Sequence, residues 1–391
     1  MPIDPADVAI CLEDEAPDEG GASTPMAPPI VQTSLFSFRS FQDLLAGLAD
    51  EGGHHVYTRG SNPTAEAAER KIAALERGEA CRTFGSGMAA ISAVLSSFLA
   101  AGDHVLFVNH TYGPALQLAG HLERFGVAHD VTLELAPAAV EAALRSETRL
   151  VWLESPGTMT FRLADVPAIA AICRERGVLT CMDNSWSTPM FQKPLAVGVD
   201  IVVHSATKYL AGHSDLVAGA AVTSEALMGP LFEKGYMLGG GILAPFEAWL
   251  LHRGLRTLPV RLARHEADAL RVASFLADHP AVRRVHHPAL AEGEEGERSR
   301  RQLAGTSGLF SFELARGTFE SVRSVLDALE RFHLGVSWGG VESLAISPEN
   351  GRNASELAEM GLPRGLIRLS VGLEGADPLI DDLDRALARL A

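Results

Sequence analysis

Positive charge is in short supply in this chain. Lysine and arginine together number 33 against 49 aspartates and glutamates, a net charge of −16, and no basic stripe interrupts that balance. Binding to nucleic acid or to an anionic membrane surface is therefore not expected. Cysteine is sparse as well: Cys11, Cys81, Cys173 and Cys181 are the only four in 391 residues, none in C-x-x-C spacing. Neither a disulfide framework nor a metal site is expected. A reducing cytoplasm suits the chain, and its thiols read as buried structural groups. No basic segment followed by an apolar run opens the sequence, so no signal peptide is expected. The longest apolar stretch, Met88 to Ala101, is broken by Ser92, Ser96 and Ser97 and is too short to span a bilayer. There is no G-x-G-x-x-G after a strand and no G-K-[ST], which leaves dinucleotides and triphosphates without their usual cradle.

What is present is ordinary globular composition, 47% hydrophobic and 21% charged, enough for two or more cores. Residues 1–29 carry seven acidic side chains and no basic one, and read as an extended arm, mobile alone, that docks on a partner subunit. From about Arg59 onward helices and strands alternate. Helices are predicted over Thr64 to Glu76, Met88 to Leu99 and Val166 to Arg176. Strands are predicted over His104 to Val108, Leu150 to Leu153 and Val178 to Met182. That alternation predicts a mainly parallel sheet covered on both faces. Ala248 to Leu276 then reads as one long helix or two abutting ones interrupted at Pro259, and Glu292 to Arg301 as a charged loop. Strands at Leu309 to Leu314 and Leu366 to Val371, with helices at Glu320 to Arg331 and Pro378 to Leu390, suggest a smaller α+β unit. The expected division is an N-terminal arm (1–57), a large domain (58–255) and a C-terminal domain (256–391).

The chemistry concentrates just past the strand-like run Val199 to Val203. Ser205-Ala206-Thr207 follows, and then Lys208. An amine at the carboxyl edge of an open α/β sheet stands where such folds build their sites, and a desolvated lysine there can capture a carbonyl. Asp183 follows the strand ending at Met182 and shares that edge if the two strands are parallel neighbours. Phe84-Gly85-Ser86-Gly87-Met88 places glycines at a helix start, where free backbone N–H groups cradle anions. Tyr112, after the His104 to Val108 strand, adds an aromatic face. Each feature alone has a plainer reading: a solvated lysine, a turn-forming aspartate, a tight glycine turn. Together, anion cup, carboxylate, amine and aromatic face suit one cofactor, pyridoxal 5′-phosphate.

Four stretches carry a resemblance: Tyr57 to Thr64 (Y-T-R-G-S-N-P-T), the G-S-G-M segment, Asp183-Asn184, and Ser205 to Asp215 (S-A-T-K-Y-L-A-G-H-S-D). They resemble the Cys/Met-metabolism family of pyridoxal-phosphate enzymes, from roughly Pro28 to the C-terminus. The resemblance implies fold type I, with an aspartate-aminotransferase-like large domain, a smaller C-terminal domain and a homotetramer built of two close dimers. It implies that Lys208 is the imine lysine and proton carrier, that Asp183 pairs with the pyridine nitrogen, and that Tyr112 stacks on the ring. Gly87, Met88, Ser205 and Thr207 would hold the phosphate within one subunit. Tyr57 and Arg59 would reach the phosphate of the neighbouring subunit. Arg368 would receive the substrate α-carboxylate, assisted by Ser337. On residue type alone Arg368 could equally snorkel to water.

The reaction type is read from finer likenesses. Ser337-Trp338-Gly339-Gly340-Val341-Glu342-Ser343 resembles the S-W-G-G-x-E-S block of bacterial cystathionine β-lyases, and Glu154-Ser155-Pro156-Gly157-Thr158 resembles their E-S-P-G-[ST]. Gly305 to Phe312 points the same way. Val336 stands where γ-acting relatives commonly carry Glu. The expectation is therefore α,β-elimination of L-cystathionine to homocysteine, pyruvate and ammonia, in trans-sulfuration and methionine biosynthesis. Gly60 to Thr64, by contrast, looks more like the γ-acting relatives. Cystathionine γ-lyase or γ-synthase activity stays open, as does a non-catalytic cofactor-binding protein. His110, His204 and His213 fall near the proposed site, either supporting it or simply packing.

Overall fold

A computed structural model describes residues 3–13 and 25–390; four of the seven acidic residues within 1–29 lie outside the described residues. Among the described residues twelve strands form two sheets. The first contains β1 (Ala80–Phe84), β2 (His104–Val108), β3 (Ala128–Thr132), β4 (Thr148–Glu154), β5 (Leu179–Asp183), β6 (Ile201–His204) and β7 (Gly219–Thr223), in the spatial order β1-β7-β6-β5-β4-β2-β3. The pairs from β6 through β3 are parallel, and β7 runs antiparallel to both β6 and β1. Successive residues of its strands face opposite cores. Val105, Phe107, Leu150, Trp152, Cys181 and Ile201 pack on one side. Leu106, Val108, Val151, Leu153, Met182 and Val202 pack on the other. A sheet buried on both faces explains why these strands read as unbroken apolar runs.

The second sheet holds β8 (Val282–His286), β9 (Leu309–Leu314), β10 (His333–Leu334), β11 (Leu344–Ile346) and β12 (Leu366–Ser370), ordered β10-β11-β12-β9-β8. Only the short β10–β11 pair is parallel. Phe310, Phe312, Ile367 and Leu369 pack there with Ala269, Val272 and Leu276 of the Leu258–Asp278 helix and with Leu379 and Leu383 of the Ala376–Leu387 helix. The chain is thus α/β, with a second, mostly antiparallel unit.

Of the two readings of Ala248 to Leu276, the structure has the two abutting helices, Pro245–Leu255 and Leu258–Asp278, but the break is not at Pro259, which sits in the first turn of the second, where its missing N–H costs nothing. Two further expectations are corrected. The charged run after Glu292 is a helix, Gly293–Gln302, with Glu294 and Glu295 in its first turn and Arg300 and Arg301 in its last. That order complements the helix dipole, so charge density alone was a poor guide. The N-terminal segment is not wholly extended either: Pro5–Leu12 is a helix. It docks on its own chain. Asp7, 1% exposed, accepts from Arg77 Nη2 at 2.8 Å and Lys193 Nζ at 2.7 Å. Lys71 Nζ donates to the carbonyls of Ile10, Cys11 and Glu13 at 3.1, 2.9 and 2.7 Å. Those are carbonyls the helix end cannot satisfy internally, and a cation there is favoured.

Among the described residues no helix is long and apolar enough to cross a membrane. Replacing Lys71 by Met keeps the buried stem and removes the donor. Amide hydrogen exchange across residues 6–12 is expected to quicken markedly, with a stability loss of about 1–3 kcal/mol. Unchanged exchange there would show that Lys71 does not hold this helix.

Candidate functional site

The parallel register pairs Asp183 with Val203, so β5 and β6 end side by side. Asp183 and the Ser205–Lys208 turn therefore emerge at one edge, as the sequence suggested. Asp183 Oδ1 accepts from Ser185 N at 2.9 Å. Ser185 Oγ in turn accepts from Ser205 N at 2.6 Å, which ties the two strand ends together.

Lys208 is one of four lysines in the chain. Lys71 and Lys193 spend their ammonium groups on the N-terminal helix and its surroundings, and Lys234 is exposed. Lys208 Nζ has one hydrogen bond, to Ser205 Oγ at 3.3 Å, and lies 5.6 Å from the centre of the Trp338 ring. Desolvation pulls its pKa below the usual lysine range; Asp183 opposes that shift, and Arg368 adds to it. An amine more easily deprotonated at neutral pH is a better nucleophile and base.

The Gly87–Phe98 helix begins beside this turn. Ser86 Oγ caps it by accepting from Ala89 N at 3.0 Å, which leaves the first amides, those of Gly87 and Met88, without intrahelical partners. A Cβ on Gly87 would lie 2.9 Å from both Cβ and Oγ of Ser205, so only glycine lets the two elements meet. Met88 offers only its backbone, because its side chain packs into the core. Thr207 is already engaged: its hydroxyl donates to Ala218 O at 3.1 Å and accepts from Ala218 N at 2.9 Å. It must turn before it can donate to an anion.

Tyr112 is 45% exposed, and its backbone N–H donates to Glu154 Oε2 at 2.7 Å. Glu154 was not singled out as a site residue. It ends β4 directly opposite Asp183. Burial, then the Asp183 charge, push its pKa well above the usual carboxylate range, against the Tyr112 and Thr158 amides and Arg368. Its position at a strand end was the available signal.

Gly339 crosses the Lys208–Tyr209 peptide. Its φ is +83°, and a Cβ there would lie 2.9 Å from Tyr209 N. This close approach brings the preceding Ser337 and Trp338 to the lysine. Trp338 lies against Tyr209, ring centres 5.4 Å apart. Arg368, on β12, donates from Nη2 to Ser337 O at 3.2 Å. Burial draws its pKa down to about 10, with Glu154, Tyr112 and Tyr209 opposing, so the guanidinium stays charged at neutral pH. Tyr57 and Arg59 are not brought in. Both are exposed, with Arg59 Cζ 5.6 Å above the Tyr57 ring, and neither bonds to Lys208, Ser205 or the Gly87 turn among the described residues.

A phosphorylated pyridine aldehyde suits this donor set. Free amides meet Ser205 where no side chain fits, a desolvated amine waits nearby, and one oxygen of a neighbouring carboxylate is uncommitted. The class defined by this sheet edge is the pyridoxal-phosphate-dependent enzyme. More narrowly, the chain belongs to the Cys/Met metabolism PLP-dependent enzyme family, whose model matches residues 10–388. It is 40% identical to an L-methionine gamma-lyase of Pseudomonas putida over 95% of this chain and 94% of that protein. It is 36% identical to the cystathionine beta-lyase MetC of Bacillus subtilis over 95% of this chain and 94% of that one. The crystal structure of metB from Corynebacterium glutamicum superposes with a TM-score of 0.90 at 31% identity, covering 98% of both chains.

Gly339→Ala tests the crossing. The added methyl and the left-handed backbone are each unfavourable, so a loss of about 1–3 kcal/mol is expected. A crystal structure of the variant should show Ser337 and Trp338 displaced from Lys208; an undisplaced segment would refute this account of the glycine.

Proposed function

We propose that the protein is a pyridoxal-phosphate-dependent carbon–sulfur lyase whose preferred reaction is α,β-elimination of L-cystathionine. The observation that carries this reading is the Ser337-Trp338-Gly339-Gly340 segment lying on the Lys208–Tyr209 backbone, with Arg368 bonded to Ser337 O. In this reading residues 58–255 hold the cofactor and residues 256–391 supply the carboxylate clamp.

The bound cofactor supplies an aldehyde that captures amines and a pyridinium that withdraws electrons from the substrate α-carbon. Gly87 and Met88 amides, Ser205 and Thr207 would hold its phosphate. Tyr112 would cover the ring, and Asp183 would keep the pyridine nitrogen protonated. The Arg368 guanidinium takes the substrate α-carboxylate in its planar fork, with Ser337 beside it, and fixes which bond faces Lys208. Lys208 Nζ accepts the α-proton and returns a proton to the sulfur as the β-carbon–sulfur bond breaks. Trp338 and Tyr209 form an apolar wall that limits water around that amine. Homocysteine leaves first. The three-carbon remainder takes up water and departs as pyruvate and ammonia.

Val336, 76% exposed, supports β-chemistry because it offers no carboxylate to a distal amino group. A second reading, γ-elimination, draws on the likeness to an L-methionine gamma-lyase and on Gly60 to Thr64. The keto acid decides between them: pyruvate supports β-elimination, and 2-oxobutyrate as the main product overturns it. Lys208→Ala should bring turnover to background and abolish the yellow colour that borohydride bleaches in the wild type. Appreciable keto acid from that variant would reject the assignment.

The assembly we propose is a homotetramer of two close dimers. Exposed Tyr57 and Arg59, with exposed Leu35, Phe41 and Leu48 nearby in sequence, support a shared surface. Arg59→Ala and Lys208→Ala proteins, each inactive alone, should regain about a quarter of wild-type activity when dissociated and reassembled together, as random mixing at two-subunit sites requires. No recovery in mixed oligomers would count against a site completed by a neighbouring subunit.

A further inference from the structure

Beneath the site lies a buried polar cluster that the chemistry above does not use. Glu76, at the end of the Pro63–Glu76 helix, is 0% exposed, and His204 and Asn184 are each 1% exposed. One oxygen, Glu76 Oε1, lies 2.6 Å from His204 Nε2 and 2.7 Å from Asn184 Nδ2. Asn184 Nδ2 donates to that oxygen, and His204 Nε2 shares it. Asn184 also donates to Gln192 O at 3.1 Å and, through its backbone, to Val203 O at 3.0 Å.

The sequence positions give the cluster its meaning. Asn184 directly follows Asp183. His204 directly precedes Ser205, whose Oγ accepts from Lys208 Nζ three residues further on. The β5–β6 ladder ends at Asp183 and Val203. Beyond it, the two loops are joined by the Ser185–Ser205 contact and by this shared carboxylate.

A buried carboxylate is an expensive way to fill space, because its charge must be satisfied away from water. Here Glu76 Oε2, His204 Nδ1 and Asn184 Oδ1 have no hydrogen-bond partner among the described residues. An apolar side chain would pack this region at lower cost.

We infer that Glu76 is a positioning residue, which through His204 and Asn184 sets the spacing between Asp183 and the Ser205–Lys208 turn and so tunes cofactor capture. The inference rests on the cofactor reading above and deepens it. Glu76 touches neither Lys208 nor Asp183 through any hydrogen bond; it acts through its two partners.

The test compares Glu76→Met with Glu76→Gln in the full chain, stripped of cofactor and titrated with pyridoxal 5′-phosphate. Affinity and the visible absorption band are read together, with far-UV circular dichroism as the check of folding. Glu76→Met should bind about tenfold more weakly or more, as expected for losing two buried bonds to a charged acceptor, and its band should move. Glu76→Gln, which keeps an acceptor oxygen, should recover most of the affinity. If Glu76→Met does not fold, His204→Ala carries the same expectation, with His204→Gln as the rescue. A folded Glu76→Met or His204→Ala protein with wild-type affinity and an unmoved band overturns the inference, whatever its melting temperature. A wild-type chain that binds no pyridoxal phosphate overturns the cofactor reading instead, and the inference with it.

Discussion

Parallel strands that end side by side release their chains in the same direction, and two such ends here carry opposite charges. β5 delivers Asp183 and β6 delivers the turn to Lys208, in a register that pairs Asp183 with Val203. Everything else at the site is arranged around that pair of strand ends. The Gly87 turn can press against Ser205 because it has no side chain. The second sheet reaches the same spot through Gly339, whose backbone crosses the lysine peptide for the same reason. Two glycines thus let neighbouring segments close on this sheet edge, one at the first sheet and one from the second unit.

Electrostatics then shapes the site. Asp183 and Glu154 stand opposite each other on adjacent strands, and Lys208 and Arg368 oppose one another. Neither pair of like charges is comfortable in a desolvated space. The outcome is an amine drawn toward its neutral form and a carboxyl drawn toward its protonated form, while Arg368 remains charged. Such separated tendencies are what acid–base chemistry near neutral pH requires. The stability lost in crowding these groups is met by the two apolar layers of the first sheet and by the packed face of the second.

Much of this was legible along the chain. Leu309–Leu314 was read to the residue, and the Gly87–Phe98 and Pro63–Glu76 helices to within one. Long apolar runs and a clean helical period survive translation into structure because both report burial on a fixed face. β7 and its neighbour β1 were not read, since Gly219–Thr223 and Ala80–Phe84 are short and have no distinctive pattern. Gly293–Gln302 was read as a loop because its charges hid their own helical order. Glu76 passed as the last residue of an amphipathic helix, and His204 was placed near the site with its role, supporting or packing, left open. They meet across a sequence separation of 128.

The sequence by itself determined the chemistry on offer: one lysine placed after a buried strand, an aspartate after another, a glycine turn at a helix start, and an arginine among apolar neighbours. Those are local facts, set by side-chain type and by spacing within a single element. Only the tertiary structure decided that they share one crevice, that Thr207 is already engaged by Ala218, and that Glu154 anchors the loop of Tyr112. Strand order, close backbone approach and desolvation are properties of elements far apart in the chain, and no local pattern encodes them.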